Sequence, residues 1–234
     1  MTTLAFDVYG TLIDTQGVSV TLEKFLGEKA SAFSKAWREK QLEYSFRRGL
    51  MQNYENFSVC TRHALDYTCA LFNTPLGPAE KNLLLETYQS LPAFEDVKEG
   101  LAQAKQAGFR LFAFSNGSFD AVDQLLTKAG IREAFIDVVS VDEIRSFKPN
   151  PGAYCHFLRR AGAVGSDAWL ISSNPFDVIG ALSAGLHAAW VQRSSQALFD
   201  PWGIEPTVTV PSLLHLPQEI LKHQECADGL HDGP

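Results

Sequence analysis

The sequence has no apolar run near the roughly 18 residues that a membrane-spanning helix requires, so it offers no candidate span and no membrane role is expected. Its first residues pass straight into Leu4-Ala5-Phe6-Asp7 without the basic and apolar segments of a secretory leader, and a cytoplasmic location is the expectation. Cysteine is scarce. Cys60, Cys69, Cys155 and Cys226 show no CxxC spacing, which argues against a disulfide framework and a zinc site; reduced, mostly buried thiols are expected. Positive charge is also short: 20 Lys and Arg face 27 Asp and Glu, a net charge of −7. Nucleic acid is therefore not expected as a partner, and an anionic small molecule would need a local basic pocket. Against these absences stand 45% hydrophobic residues and 16 Phe in 234 residues, the composition of a globular chain with a sizeable core.

From about Phe94 onward one unit recurs: a short apolar run rich in β-branched or aromatic residues, a polar turn, and a helical stretch closed by glycine. The runs predict strands over 109–114, 136–141, 168–172, 188–192 and 207–210, with an amino-terminal strand over 4–8. A helix over 119–129 carries Phe119, Val122, Leu125 and Leu126 on one face, with Ser118 as N-cap and Gly130 as stop. Later helices open at Asn150-Pro151 and Asn174-Pro175 and end at Gly162 and Gly185. The strands alternate little between apolar and polar, which fits a parallel sheet covered on both faces.

Residues 16–91 break this rhythm with helical spacing, as in Leu22, Phe25, Leu26, Phe33 and Trp37, then Leu65, Cys69 and Phe72, then Leu83, Leu84 and Tyr88. The expected architecture is α/β: a doubly wound, mostly parallel, Rossmann-like sheet from residues 1–15 and 92–222, with a helical cap, residues 16–91, inserted after the first strand. Emerging there, the cap would lie over the carboxyl ends of the strands, where open sheets bind ligands. Residues 223–234 read as a flexible tail, and apolar positions on the cap suit a homodimer.

Four polar clusters fall at predicted strand ends: Asp7 with Thr11, Ser115 with Asn116, Lys148 with Tyr154, and Ser172, Asn174 and Asp177. Each alone is accounted for as a cap, a turn or a solvated charge. At successive ends of one sheet they converge on one place.

Phe6-Asp7-Val8-Tyr9-Gly10-Thr11-Leu12, Phe114-Ser115-Asn116-Gly117, Phe147-Lys148-Pro149 with Pro151 and Tyr154, and Ser172-Ser173-Asn174-Pro175-Phe176-Asp177 resemble, in order, the four motifs of the haloacid dehalogenase superfamily. The segment Trp37-Arg38-Glu39-Lys40-Gln41-Leu42-Glu43-Tyr44 is similar to the arginine-bearing cap helix of its L-2-haloacid dehalogenases. Phosphatases of the superfamily hold Mg²⁺ with the nucleophilic Asp, a second Asp two residues later and an acidic fourth motif. Here Tyr9 and Ser172-Ser173-Asn174 stand at those places, so no metal and no cofactor are expected.

The resemblance implies a metal-independent hydrolase that takes a small 2-haloacid and releases halide. Asp7 is the implied nucleophile. Lys148 is implied to lie beside it, where an opposite charge about 4 Å away would favour the carboxylate by roughly 4 kcal/mol at a dielectric of 20. Ser115 and backbone N–H groups near Asn116 would hold the substrate carboxylate, and Arg38 would receive the halide. Thr11, Tyr154, Ser172 and Asn174 would orient these groups, and Asp177 would direct the water that attacks the ester. Tyr9, Leu42, Phe57 and Phe176 would wall the alkyl group. At position 176 close relatives tend to carry Trp, which puts the pocket size in question. Two rivals are a Mg²⁺-dependent phosphatase of the same superfamily, disfavoured by the missing acidic ligands, and a non-catalytic ligand-binding relative, which would not need Asp7, Lys148 and Asp177 together.

Overall fold

The structure, a computed structural model, describes residues 1–229. Six short strands rich in apolar residues form one parallel sheet: β1 (Thr3–Asp7), β2 (Arg110–Ser115), β3 (Asp137–Ser140), β4 (Ala168–Ser172), β5 (His187–Val191) and β6 (Val208–Val210). Their order is β3-β2-β1-β4-β5-β6. Every residue of β1 and β4 is buried, which explains why these runs lack alternation. The chain builds one half of the sheet outward from β1, then crosses to the other side of β1 to start β4, so the order reverses between these two strands.

Four helices fill the stretch between β1 and β2: α1 (Ser19–Leu26), α2 (Ala30–Leu50), α3 (Phe57–Leu71) and α4 (Pro78–Tyr88). The rest flank the sheet: α5 (Val97–Gln106), α6 (Phe119–Lys128), α7 (Pro151–Ala161), α8 (Pro175–Ser183) and α9 (Leu216–Gly229). Alternate strand residues serve opposite faces. Leu4, Phe6, Leu111 and Ile171 pack in one core cluster with Leu101, Leu125 and Ile220 from α5, α6 and α9. Ala5, Phe112, Phe114 and Leu170 pack in a second cluster with Phe157 and Val178 from α7 and α8. The sheet is thus doubly wound. Phe33, Trp37 and Leu65 of the inserted helices join the first cluster, so α2 and α3 rest on the same core.

Most predicted element ends are off by a residue or two, and several expectations differ further. Phe119, expected on the inward face of α6, is 40% exposed. Ser118 stands at the N-cap of α6 but makes no capping bond with its side chain. Leu83 is 46% exposed, because the inward face of α4 runs through Leu84 and Tyr88. Cys60 and Cys69 are buried, whereas Cys155 and Cys226 are exposed. The stretch read as a tail begins inside α9, where Gln224 Nε2 donates to Thr2 Oγ1 at 2.7 Å; residues 230–234 lie outside the described residues.

Candidate active site

Asp7 ends β1 at the point where the strand order reverses. Beyond it Gly10 adopts φ +87°, which a side-chain-bearing residue rarely does, and the N–H groups of Leu12 and Ile13 both return to the Val8 carbonyl, at 3.0 and 2.9 Å. This tight turn sets the Thr11 hydroxyl 2.8 Å from Asp7 Oδ2. Asn174 Nδ2 donates to the same oxygen at 2.7 Å. Asn174 occupies the N-cap of α8 without capping it, because its side-chain amide faces the carboxylate instead. Ser172 Oγ accepts from the Asn174 N–H at 3.1 Å and Thr11 Oγ1 from the Ser173 N–H at 2.9 Å, which ties the end of β4 to the β1 turn.

Asp7 Oδ1 accepts from Lys148 Nζ at 2.7 Å. The same ammonium donates to Asp177 Oδ2 at 2.6 Å and to the Phe114 carbonyl at 3.2 Å. One buried cation therefore lies between two buried carboxylates, and the cluster carries a negative excess. Burial works against the Lys148 charge, but Asp177 and Asp7 outweigh it and lift the ammonium above its ordinary value. Asp177 is raised from the ordinary carboxyl value. Burial is the main cause and the Asp7 charge adds to it, while Lys148 and the Tyr154 bond offset only part. Tyr154 donates to Asp177 Oδ1 at 2.8 Å, and burial, reinforced by the Asp177 charge, pushes its phenol well up, so it remains a donor. It fits only because residue 180 is glycine: a Cβ there would lie 2.4 Å from the Tyr154 hydroxyl oxygen and 2.7 Å from Pro149 Cβ.

At the end of β2, Ser115 Oγ accepts from the Gly117 N–H at 3.1 Å, and Asn116 Oδ1 accepts from the Lys148 N–H at 2.8 Å, so this turn anchors the segment that carries the lysine. Arg38 comes from α2. Its Nη2 donates to the Tyr9 carbonyl at 3.2 Å, which Asn174 Nδ2 also approaches at 3.3 Å, and its Nη1 donates to Gln41 Oε1 at 2.7 Å. Neighbouring Glu39 and Glu43 are paired with Lys35, and with Lys40 and Arg47. Among the described residues the Arg38 charge meets only neutral acceptors.

The apolar residues separate into two groups. Tyr9 lies 5.8 Å from Phe57, which lies 6.3 Å from Phe147, in ring centroids. Phe176 instead meets Phe46 of α2 at 4.9 Å. Leu42, one turn after Arg38 on α2, is half-buried. A cavity of about 140 Å³ shares Tyr9 and Phe57 with this region and continues past Tyr88 and Gly117, without reaching Asp7.

Sequence reasoning missed several residues here. Gln41 sits three positions from Arg38 and Phe147 beside Lys148, both signals of proximity. Arg193 and Asp96 had none. Arg193 Nη1 contacts Asp96 Oδ1 and Oδ2 at 2.6 and 2.7 Å, and its Nη2 donates to the Thr11 carbonyl at 2.6 Å.

The residues present do not fit the magnesium site of the phosphatases. An ammonium already bridges the two carboxylates, an amide faces Asp7 Oδ2, and the residue two after Asp7 is a phenol that burial, together with the Asp7 charge, keeps protonated. Among the described residues no three His, Cys, Asp or Glu side chains gather to hold a metal.

The family model for haloacid dehalogenase-like hydrolases matches residues 1–185, and the chain belongs to that family. Among its relatives, the haloacetate dehalogenase H-2 of Moraxella sp. (strain B) is 37% identical over 216 residues, covering 91% of this chain and 96% of the relative. The (S)-2-haloacid dehalogenase of Pseudomonas sp. (strain YL) is 33% identical, covering 90% of each. The solved L-2-haloacid dehalogenase of Xanthobacter autotrophicus superposes with a TM-score of 0.88 at 31% identity, covering 94% of this chain and 98% of that one, and it has also been solved with chloropropionic acid covalently bound.

Proposed function

We propose that this chain hydrolyses short L-2-haloalkanoic acids to D-2-hydroxy acids through an ester on Asp7, without a metal ion. One observation carries the reading: a carboxylate held by one ammonium and two neutral donors stands beside a guanidinium that meets only neutral acceptors. The names of the relatives, a haloacetate dehalogenase and (S)-2-haloacid dehalogenases, support the substrate class.

Asp7 Oδ2 accepts two bonds and Oδ1 accepts one, so Oδ1 keeps the more available lone pair. It attacks the substrate carbon from the side opposite the halogen. The carbon–halogen pair leaves with the halide, which Arg38 receives; one such fixed donor is worth about 3–4 kcal/mol to a transition state. No proton is needed, because halide departs as a stable anion. Ser115 and the following backbone N–H groups hold the substrate carboxylate, and Tyr9, Leu42, Phe57 and Phe176 border its alkyl group. In the second step water attacks the Asp7 carbonyl carbon and loses a proton to Asp177, which Lys148 and Tyr154 hold in place. Collapse returns the Asp7 carboxylate, now with one solvent oxygen, and releases the hydroxy acid.

Residues 16–91 act as the cap that brings Arg38 to the strand ends, and residues 1–15 with 92–222 form the unit that carries the nucleophile. The reading extends to a cytoplasmic location, consistent with no described helix being long and apolar enough to cross a membrane, and to a homodimer through exposed cap residues such as Leu50, Met51 and Leu71.

The test is one turnover in H₂¹⁸O with enzyme in excess over L-2-chloropropionate. D-Lactate with an unlabelled hydroxyl and a labelled Asp7 is expected. Label in the hydroxyl of that first product would make Asp7 a general base and sink the ester mechanism.

A further inference from the structure

We infer that Gln41 is a positioning residue that aims the Arg38 guanidinium while leaving its charge intact; the inference rests on the reading of Arg38 as the acceptor of the departing halide. Arginine is long and rotationally free, and a guanidinium that must meet a halide at one place needs to be held. A carboxylate is the usual holder, and it would cancel the very charge the halide requires.

Gln41 solves this with a neutral acceptor. It is fully buried on α2, three residues after Arg38, and its Oε1 accepts from Arg38 Nη1 at 2.7 Å. Its Nε2 donates to Thr61 Oγ1 on α3 at 2.5 Å. The Thr61 hydroxyl in turn donates to the Phe57 carbonyl at 2.8 Å. A hydroxyl has one proton, so Thr61 can only accept from Gln41. That fixes which way the amide faces: the NH₂ toward Thr61, the oxygen toward Arg38. The Tyr88 hydroxyl, 3.5 Å from the same oxygen, favours the same orientation, and Trp37 Nε1 braces this turn of α3 by donating to the Thr61 carbonyl at 2.9 Å. Two cap helices thus hold one amide in one orientation, and nothing in that chain of bonds carries a negative charge.

The decisive substitution is Gln41→Glu, which keeps the shape and cancels the charge. Wild type, Gln41→Glu and Thr61→Val are compared in single turnovers of 2-chloropropionate and 2-bromopropionate, with inhibition by bromide and thermal unfolding measured alongside. Chloride, the poorer leaving group, leans harder on the guanidinium. Gln41→Glu is expected to slow chloride displacement about tenfold or more, to slow bromide displacement less, to weaken bromide inhibition about tenfold, and to leave ester hydrolysis unchanged. Thr61→Val adds no charge and only frees the amide to flip; it shifts the chloride-to-bromide ratio in the same direction by less, and it keeps the test open if Gln41→Glu fails to fold. A folded variant whose ratio and bromide inhibition match wild type overturns the role of Gln41 alone. A wild type that releases halide from neither substrate overturns the halide reading and this inference with it.

Discussion

Among the cations that reach the end of β1 and the turn after it, Arg193 and Lys148 are arranged differently. Arg193 closes on Asp96 through two bonds; Asp96 Oδ2 also takes the Ser212 hydroxyl at 2.7 Å and the Leu213 N–H at 2.8 Å, and the guanidinium lies 4.3 Å from the Phe94 ring centroid. Charge there is matched one to one. Lys148 is instead divided between two carboxylates, so its cluster keeps a negative excess and an oxygen with a lone pair to give. Both arrangements are shielded and both reach Asp7 or its turn. What separates a fastening from a reactive centre is the charge count. The Arg193 pair fixes the Thr11 carbonyl in place; the Lys148 triad, on the proposed mechanism, keeps Asp7 ready as nucleophile.

Breaking the comparison at its stronger side has the largest effect. Lys148→Met leaves two buried carboxylates without their cation, and it is expected to cut turnover by a factor of about 10³ or more and to cost about 3–5 kcal/mol in urea unfolding. Arg193→Met is expected to cost about 2–4 kcal/mol of stability while turnover stays within about tenfold of wild type. Equal losses of turnover in the two variants would erase the distinction.

Acid separates the regions as well. On the proposed mechanism Asp177 must be ionised to take a proton, and its value is raised, so turnover is expected to be lost as pH falls through a point above the ordinary carboxyl value near 3.9. Asp96 is lowered: burial alone would raise it, but the Ser212, Arg193 and Leu213 bonds and the Arg193 charge prevail. Its contribution to stability is complete above the ordinary carboxyl value and is lost only as pH falls through the lower folded one. Activity should therefore disappear on acidification before circular dichroism reports unfolding. Tyr154→Phe removes a bond that lowers Asp177, so the acid limb of its kcat profile should move to higher pH. The smallest expected effect is none: EDTA should leave halide release unchanged, and activity lost to EDTA and restored by Mg²⁺ would favour the phosphatase rival.

The βα rhythm was legible because it is local. Apolar runs, Asn150-Pro151 and Gly162 mark ends through backbone chemistry that a few neighbouring residues determine, and α7 begins and stops there. The four strand-end clusters were legible because parallel strands deliver their carboxyl ends to one edge. Ties between distant segments were not: Arg193 to Asp96 spans 97 residues and Tyr88 to Gln41 spans 47, and no spacing rule announces either. Ser118 and Asn174 show another limit. Each has the composition of a cap, yet neither caps with its side chain, and for Asn174 the carboxylate at Asp7 is the competing acceptor. Residues 223–229 of the polar run read as a tail continue α9, because Leu216 and Ile220 upstream bury its root.

Anyone seeking to make this protein more heat-resistant by routine substitution would find Gly180 inviting, since alanine inside a helix is ordinarily worth up to about 1 kcal/mol over glycine. At this position the rule reverses. The added methyl would enter the space of the Tyr154 phenol, and the displaced ring would release the carboxyl it restrains. A bare backbone at this point of α8 is the condition for a rigid acid beside it, so Gly180→Ala would lower heat resistance and turnover together.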